Sequence, residues 1–347
     1  MKSIIFSLFL LLCAFHMSFA QNRTDIYSEV QVDTILHGDY SIRALLIDGS
    51  TLYYGADKSR IGYINVATEQ RMEFRYEVED LEFRSIAKTR DHIFALNAGS
   101  PAVLTKMNKD GSDLKVVYDD YNPKVFYDSM QFWNNYEGIA VGDPLKGCMA
   151  IVITRDGGKN WRRLPCSVLP PVIEGEAAFA ASNTNIVVKG DRTWIVTGGA
   201  VSRILYSPDK GKSWFLSDTP IVSGQSTTGI YSADFYDFKY GFIVGGDYTK
   251  PEMNNQNKAI TTDGGQTWKT VADNAGFGYA SCVQFVPDGD GAQLVTVGPS
   301  GLQYSSDYGK TWTQLYADPS LYTIRFQNSR TAYAAGKNKI IKITFKN

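Results

Sequence analysis

Thr261-Thr262-Asp263-Gly264-Gly265-Gln266-Thr267-Trp268 decides how this chain is read, because the same eight-residue pattern returns three more times. It has the chemistry of a tight turn. Thr or Ser opens it, an Asp two positions on can accept hydrogen bonds from the turn backbone, a Gly supplies the positive φ, and Trp starts the returning strand. The other copies are Thr154-Arg155-Asp156-Gly157-Gly158-Lys159-Asn160-Trp161, Ser207-Pro208-Asp209-Lys210-Gly211-Lys212-Ser213-Trp214 and Ser305-Ser306-Asp307-Tyr308-Gly309-Lys310-Thr311-Trp312. All keep Ser/Thr-x-Asp-x-Gly-x-(Thr/Ser/Asn)-Trp. The four aspartates are separated by 53, 54 and 44 residues, which suits one four-stranded unit per copy.

The pattern resembles the Asp-box, or BNR repeat, of β-propellers that include sialidases and the photosystem II assembly factor-like proteins. The fuller order of strand, Gly-rich strand end and box is most similar to the assembly factor-like group. The resemblance covers most of the mature chain and implies an all-β propeller. It also implies a structural role for Asp156, Trp161, Asp209, Trp214, Asp263, Trp268, Asp307 and Trp312, at hairpins on the outer edge of each blade.

Working outward, one order recurs: an apolar strand, a short turn, a strand ending in Gly, a variable loop and the box hairpin. Ser129-Met130-Gln131-Phe132, Gly138-Ile139-Ala140-Val141-Gly142 and Ala150-Ile151-Val152-Ile153 lead into one box. Ser232-Ala233-Asp234-Phe235, Gly241-Phe242-Ile243-Val244-Gly245 and Ala259-Ile260 lead into another. Units without a full box keep the rhythm at 42–55 and 85–96, and Asn108-Lys109-Asp110-Gly111 reads as a degraded box turn. The last unit, 322–343, supplies three strands, and the alternating Glu29-Val30-Gln31-Val32-Asp33 can provide the fourth. On this count the fold is a seven-bladed β-propeller, a single domain over residues 21–347, whose ring is closed by the N-terminal strand.

Before this domain, Met1-Lys2, an apolar run from Ile4 to Phe15 and then Ser18-Phe19-Ala20 form a secretory signal peptide, residues 1–20. The run is shorter than the ~20 residues a membrane span needs, and no later stretch approaches that length. The expectation is an exported monomer, periplasmic or extracellular, without membrane insertion. A formal net charge of −1 gives no reason to expect nucleic acid. The 18 Phe and 21 Tyr favour strands.

In a propeller the loops between blades, and those between the second and third strands of a blade, gather on one face at the channel mouth. The first position contributes Arg43, Arg84, Tyr127, Asp128, Glu176, Tyr231, Tyr279 and Tyr322. The second contributes Asp143, Arg203, Asp247, Tyr248 and Ser300. From these, Arg84, Tyr127, Asp128, Asp143, Glu176, Arg203, Asp247, Tyr248, Tyr279 and Ser300 form the candidate ligand site. A ring of structural salt bridges is the alternative for the charged members.

Sialidase-type hydrolysis needs an arginine triad, a Tyr activated by Glu and an acidic Asp. Arg43, Arg84, Arg203 and Tyr322 could be so arranged, yet the Phe/Tyr-Arg-Ile-Pro signature is missing, represented only by Phe83-Arg84-Ser85-Ile86, which lacks the Pro and has an extra residue. Only His37 and His92 remain after signal cleavage, which disfavours a His-dependent lyase. There is no GxGxxG, no CxxC and no His or Cys cluster with metal spacing, so neither cofactor nor metal is expected. The reading is a non-catalytic binding or assembly platform for an envelope or secreted protein, or a glycan. A glycoside hydrolase or polysaccharide lyase using the same face is the rival.

Export leaves Cys148, Cys166 and Cys282 where disulfides form. Cys148 and Cys166 are nearly symmetric about the box hairpin at 154–161, so they face each other as a disulfide or remain two thiols on a blade edge.

Overall fold

The computed structural model describes residues 26–78 and 80–347. The signal peptide expected at residues 1–20 lies outside them. The described chain is built from antiparallel strands, with one short 3-10 turn at Cys166–Val168. Phe83–Lys88, His92–Asn97, Ala102–Asn108 and Lys115–Asp120 form one simple four-stranded meander. Alternation along such strands buries one face against the next sheet; Ile86, Ile93, Ala95 and Val103 pack with Tyr53 and Tyr63 of the preceding one.

The boxes supply their own turns. Thr261 Oγ1 donates to Asp263 Oδ1 (2.8 Å) and accepts from the Gly265 amide (2.9 Å). Asp263 Oδ1 accepts the amides of Gln266 and Thr267, each at 3.0 Å, while Thr267 Oγ1 donates to Oδ2 (2.6 Å). Gly265 holds a φ of +87°, and a Cβ there would lie 3.2 Å from the Trp194 ring. Asp156, Asp209 and Asp307 repeat the arrangement. The tryptophans close the turns, with Trp214, Trp268 and Trp312 donating Nε1 to the box glycine carbonyl. Trp161 differs: its buried Nε1 has no partner.

The expected seven blades are corrected to six sheets among the described residues. The reason is one strand, Glu29–Asp48, which runs 20 residues without a break. Its first part pairs with Thr331–Lys346 (Val30 with Phe345, Val32 with Ile343) and its last part with Thr51–Ala56 (Leu45 with Tyr54). Two units read as separate are therefore one six-stranded sheet. The N-terminal strand joins strands within that sheet, and closure of a seven-membered ring by it is not what the pairing shows.

A second six-stranded sheet places Glu176–Ala177 and Gly198–Gly199 beside Thr228–Phe235. The approach needs glycine. Gly229 has a φ of +145°, and a Cβ on it would lie 2.3 Å from the Gly198 Cα.

Candidate functional site

The segment 178–185 runs between Glu176–Ala177 and the strand Ile186–Lys189, and strands of four sheets, with Ser281 immediately before a strand of a fifth, hold it. Its amide of Ala178 donates to Asp143 Oδ1 (2.9 Å), and the Ala181 carbonyl accepts from Arg43 Nη1 (3.3 Å). Ser182 Oγ donates to the Ser281 carbonyl (2.6 Å), and Asn183 Nδ2 to that of Ile86 (2.8 Å). Asn183 Oδ1 accepts the Met130 amide (3.1 Å), Thr184 Oγ1 donates to Ser232 Oγ (2.8 Å), and Arg325 Nη2 donates to the Ser182 carbonyl (2.8 Å). These strands surround the axis, so the segment plugs the channel. Small residues at Ala177, Ala178, Ala180, Ala181 and Ser182 let the backbone pass between the inner strands.

Two cavities adjoin the plug. One, about 500 Å³, borders Asn183 and is lined by Leu46, Lys88, Phe132, Gln284 and Arg325. The other, about 460 Å³, has residues 177–181 among its lining and holds the predicted Arg84, Asp143, Tyr248 and Tyr279. Arg43, Tyr231 and Tyr322 line it too, with Phe126 and Phe179. This second cavity is the mouth cleft.

Its aromatic wall is ordered. Phe179 of the plug stacks on Tyr231 at 4.0 Å, and Tyr231 meets Tyr279 edge-on at 4.7 Å and Tyr248 at 6.3 Å. Tyr248 is 52 % exposed and Tyr279 8 %, so one rim ring is free while its neighbour is a wall. Burial pushes the Tyr231 and Tyr279 hydroxyls far above their ordinary range, so both stay protonated.

Arg43 lies 4.0 Å over the Tyr322 ring, and its buried Nε has no partner. Burial, and then the nearby Arg84 charge, lower its pKa. Arg84 is engaged by Glu82, with Nε to Oε2 at 2.6 Å. Asp143 accepts only the Ala178 amide, and burial pushes its carboxyl up to about 6.

The remaining predicted residues serve the fold. Tyr127 is buried, its hydroxyl 3.0 Å from that of Tyr118. Asp128 is 0 % exposed and neither oxygen has a hydrogen bond of good geometry; burial, then the negative charge of Asp143, raises its pKa well above the carboxylate range, against the smaller opposing effects of the Arg84 charge and the Ala180 amide. Glu176 pairs with Arg203 (Nη2 to Oε2 2.5 Å) and also accepts from Thr197 Oγ1 (2.8 Å) and the Ile173 amide (3.0 Å). Asp247 caps its own turn through Thr249. Ser300 offers its carbonyl to Gln303 and Gln314. Sequence reasoning missed the plug and Phe179. The available signal was a run of small and polar residues without strand alternation just ahead of Ile186.

Cys148 and Cys166 are disulfide-bonded, tying the loop that leaves this hairpin to the strand Cys148–Thr154. Cys282 is free and buried. No group of three or more His, Cys, Asp or Glu able to hold a metal occurs among the described residues, and no helix there is long and apolar enough to cross a membrane.

Fold and boxes define a BNR-type β-propeller. A family pattern described as BNR/Asp-box repeat matches residues 259–270. Among curated proteins no sequence matches the chain. Solved structures do match in shape. YCF48 bound to D1 peptide superposes with a TM-score of 0.66 at 13 % identity, over 93 % of this chain and 98 % of that one. YCF48 from Cyanidioschyzon merolae gives 0.65 at 12 %, over 90 % and 98 %. The RRP9 WD40 repeats give 0.64 at 8 %, over 92 % and 100 %. The chain is thus a BNR-type propeller resembling YCF48, and identities this low speak for the fold alone.

Proposed function

We propose that this protein is a non-catalytic platform that holds a segment of an exported or envelope protein in the mouth cleft. The observation that carries the reading is the cleft's chemistry: rings of Tyr231, Tyr248, Tyr279, Tyr322 and Phe179 around two arginines, above a plugged channel. Such a surface suits recognition of a side chain and backbone together. A propeller of similar shape is described with a D1 peptide bound, which supports a peptide as the occupant here.

A glycosidase needs two facing carboxyl groups. Asp143 is the single carboxylate lining this cleft, while Glu176, Asp247 and Asp128 are committed elsewhere or enclosed. Export is supported by the leader at residues 1–20 and by the Cys148–Cys166 bond, since structural disulfides belong to oxidising compartments.

A photocrosslinking residue at Tyr248 tests the platform, with one at the exposed outer-edge Phe215 as control. A discrete envelope polypeptide joined through Tyr248 and not through Phe215 is expected. Equal labelling from both positions, or product release from a glycan panel, would overturn the reading.

A further inference from the structure

Arg43 and Asp143 are the two uncompensated charges of the mouth cleft. Among the described residues no carboxylate lies within ion-pair distance of Arg43, whose contacts are a carbonyl and a ring face. No cation lies within that distance of Asp143, which accepts one backbone amide. Asp247 does not line the cleft and is engaged by its own turn through Thr249. Arg84 is matched by Glu82, and Glu176 by Arg203. Burial and the neighbouring Asp143 charge push the Asp128 pKa well up, and burial does the same for the Tyr231 and Tyr279 hydroxyls.

The cleft is therefore dipolar, positive on the strand Glu29–Asp48 and negative on the strand Gly138–Leu145 in another sheet. A ligand bearing an acid alone would leave Asp143 desolvated beside it without a counter-charge, and a purely basic ligand would do the same to Arg43. Each half-matched ligand loses on one side what it gains on the other.

We infer that the cleft selects a dipolar peptide segment, with an acidic side chain set against Arg43 and a Lys or Arg side chain against Asp143. The inference rests on the platform reading and adds to it the charge pattern of the bound segment. The surrounding rings fit such an occupant, because tyrosine faces accept cations and the long stems of Lys or Arg pack on them. A volume of about 460 Å³ lies within the ~300–1,000 Å³ of small-ligand pockets, room for a few side chains of one strand.

Fluorescently labelled peptides with blocked ends test this by anisotropy at pH 7.5. The set holds one Glu and one Lys at spacings of one to four residues in an Ala/Tyr background, with Glu→Gln, Lys→Gln and doubly substituted controls. The best dipolar spacing should bind roughly tenfold more tightly than either singly charged control, the size expected for a charge pair in a partly shielded site. In Asp143→Asn, which keeps an acceptor for the Ala178 amide, the advantage of Lys should vanish and that of Glu persist. In Arg43→Gln the reverse is expected, and Arg43→Lys should restore the preference for Glu if the loss is one of charge rather than of fold. At pH 5, below the value of about 6 to which burial raises Asp143, the wild type should behave as Asp143→Asn does. Binding that is equal for dipolar and singly charged peptides, or discrimination unchanged in Asp143→Asn, overturns this inference and leaves the platform standing. Failure of every peptide to bind at either pH overturns both.

Discussion

The box aspartates and the mouth aspartates have the same side chain in opposite circumstances. At Asp263, burial alone would raise the pKa, but the hydroxyl and amide of Thr267, Thr261 Oγ1 and the Gln266 amide outweigh it and hold the carboxyl below its ordinary value. Asp156, Asp209 and Asp307 are lowered by the same balance. Asp143 has one amide and Asp128 no hydrogen bond of good geometry, and burial wins at both. Depth of burial and donor supply together decide whether a carboxylate here consolidates a turn or stays available to a ligand.

The harshest way to break this comparison is Asp263→Ala. It strips the acceptor from two amides and two hydroxyls, and should lower stability by about 2–3 kcal/mol in urea unfolding. Asp263→Asn should cost roughly half of that, because the amide oxygen still accepts. A loss under about 0.5 kcal/mol for the alanine variant would show that the turn does not depend on its carboxylate.

Asp128→Asn should move stability the other way, by about 1–3 kcal/mol at pH 7.5, since it removes an enclosed ionisable group that forms no ion pair among the described residues. The sign follows from linkage. A raised folded pKa favours the protonated state, so the contribution is fully present below the unfolded value of about 4 and is lost as pH rises through the folded value. The gain from Asp128→Asn should therefore shrink as pH falls toward about 4. The lowered box aspartates contribute in the opposite sense, with stability present above about 4 and lost as pH falls through their depressed folded values. Thermal melts of wild type and variant between pH 3 and 8 separate the two sets, and a gain independent of pH would contradict the assignment.

Asp143→Asn should show a smaller stabilisation at pH 7.5, developing between about pH 4 and the folded value of about 6. The smallest effect lies between two boxes. Trp268→Phe removes the bond from Nε1 to the Gly265 carbonyl (3.2 Å), whereas Trp161 Nε1 has no partner to lose. Trp161→Phe should be milder by about 0.5–1 kcal/mol. Equal costs would mean that ring packing governs both positions.

Residues adjacent in sequence made the boxes legible in advance. The Asp, the hydroxyls and the Gly that build each turn lie within eight positions, so their hydrogen bonds follow from spacing alone. The cysteine pair was half legible for the same reason: residues 18 apart across one hairpin could be seen to face each other, though not to be bonded. The gathering of Arg84, Asp143, Tyr248 and Tyr279 at one mouth followed from repeat topology.

What the amino-acid order determined by itself was therefore local: the box turns, the strand rhythm and the all-β propeller that repetition of such units implies. Tertiary structure decided the sheet count, because the 20-residue strand Glu29–Asp48 pairs at both ends with partners as distant as Phe345. It also decided which mouth residues remain charged and open. Glu176 is neutralised by Arg203, 27 residues away, whereas Arg43 reaches a carbonyl 138 residues distant and no acid. Charge compensation is a property of neighbours in space, and the chain brings those neighbours together only when it folds.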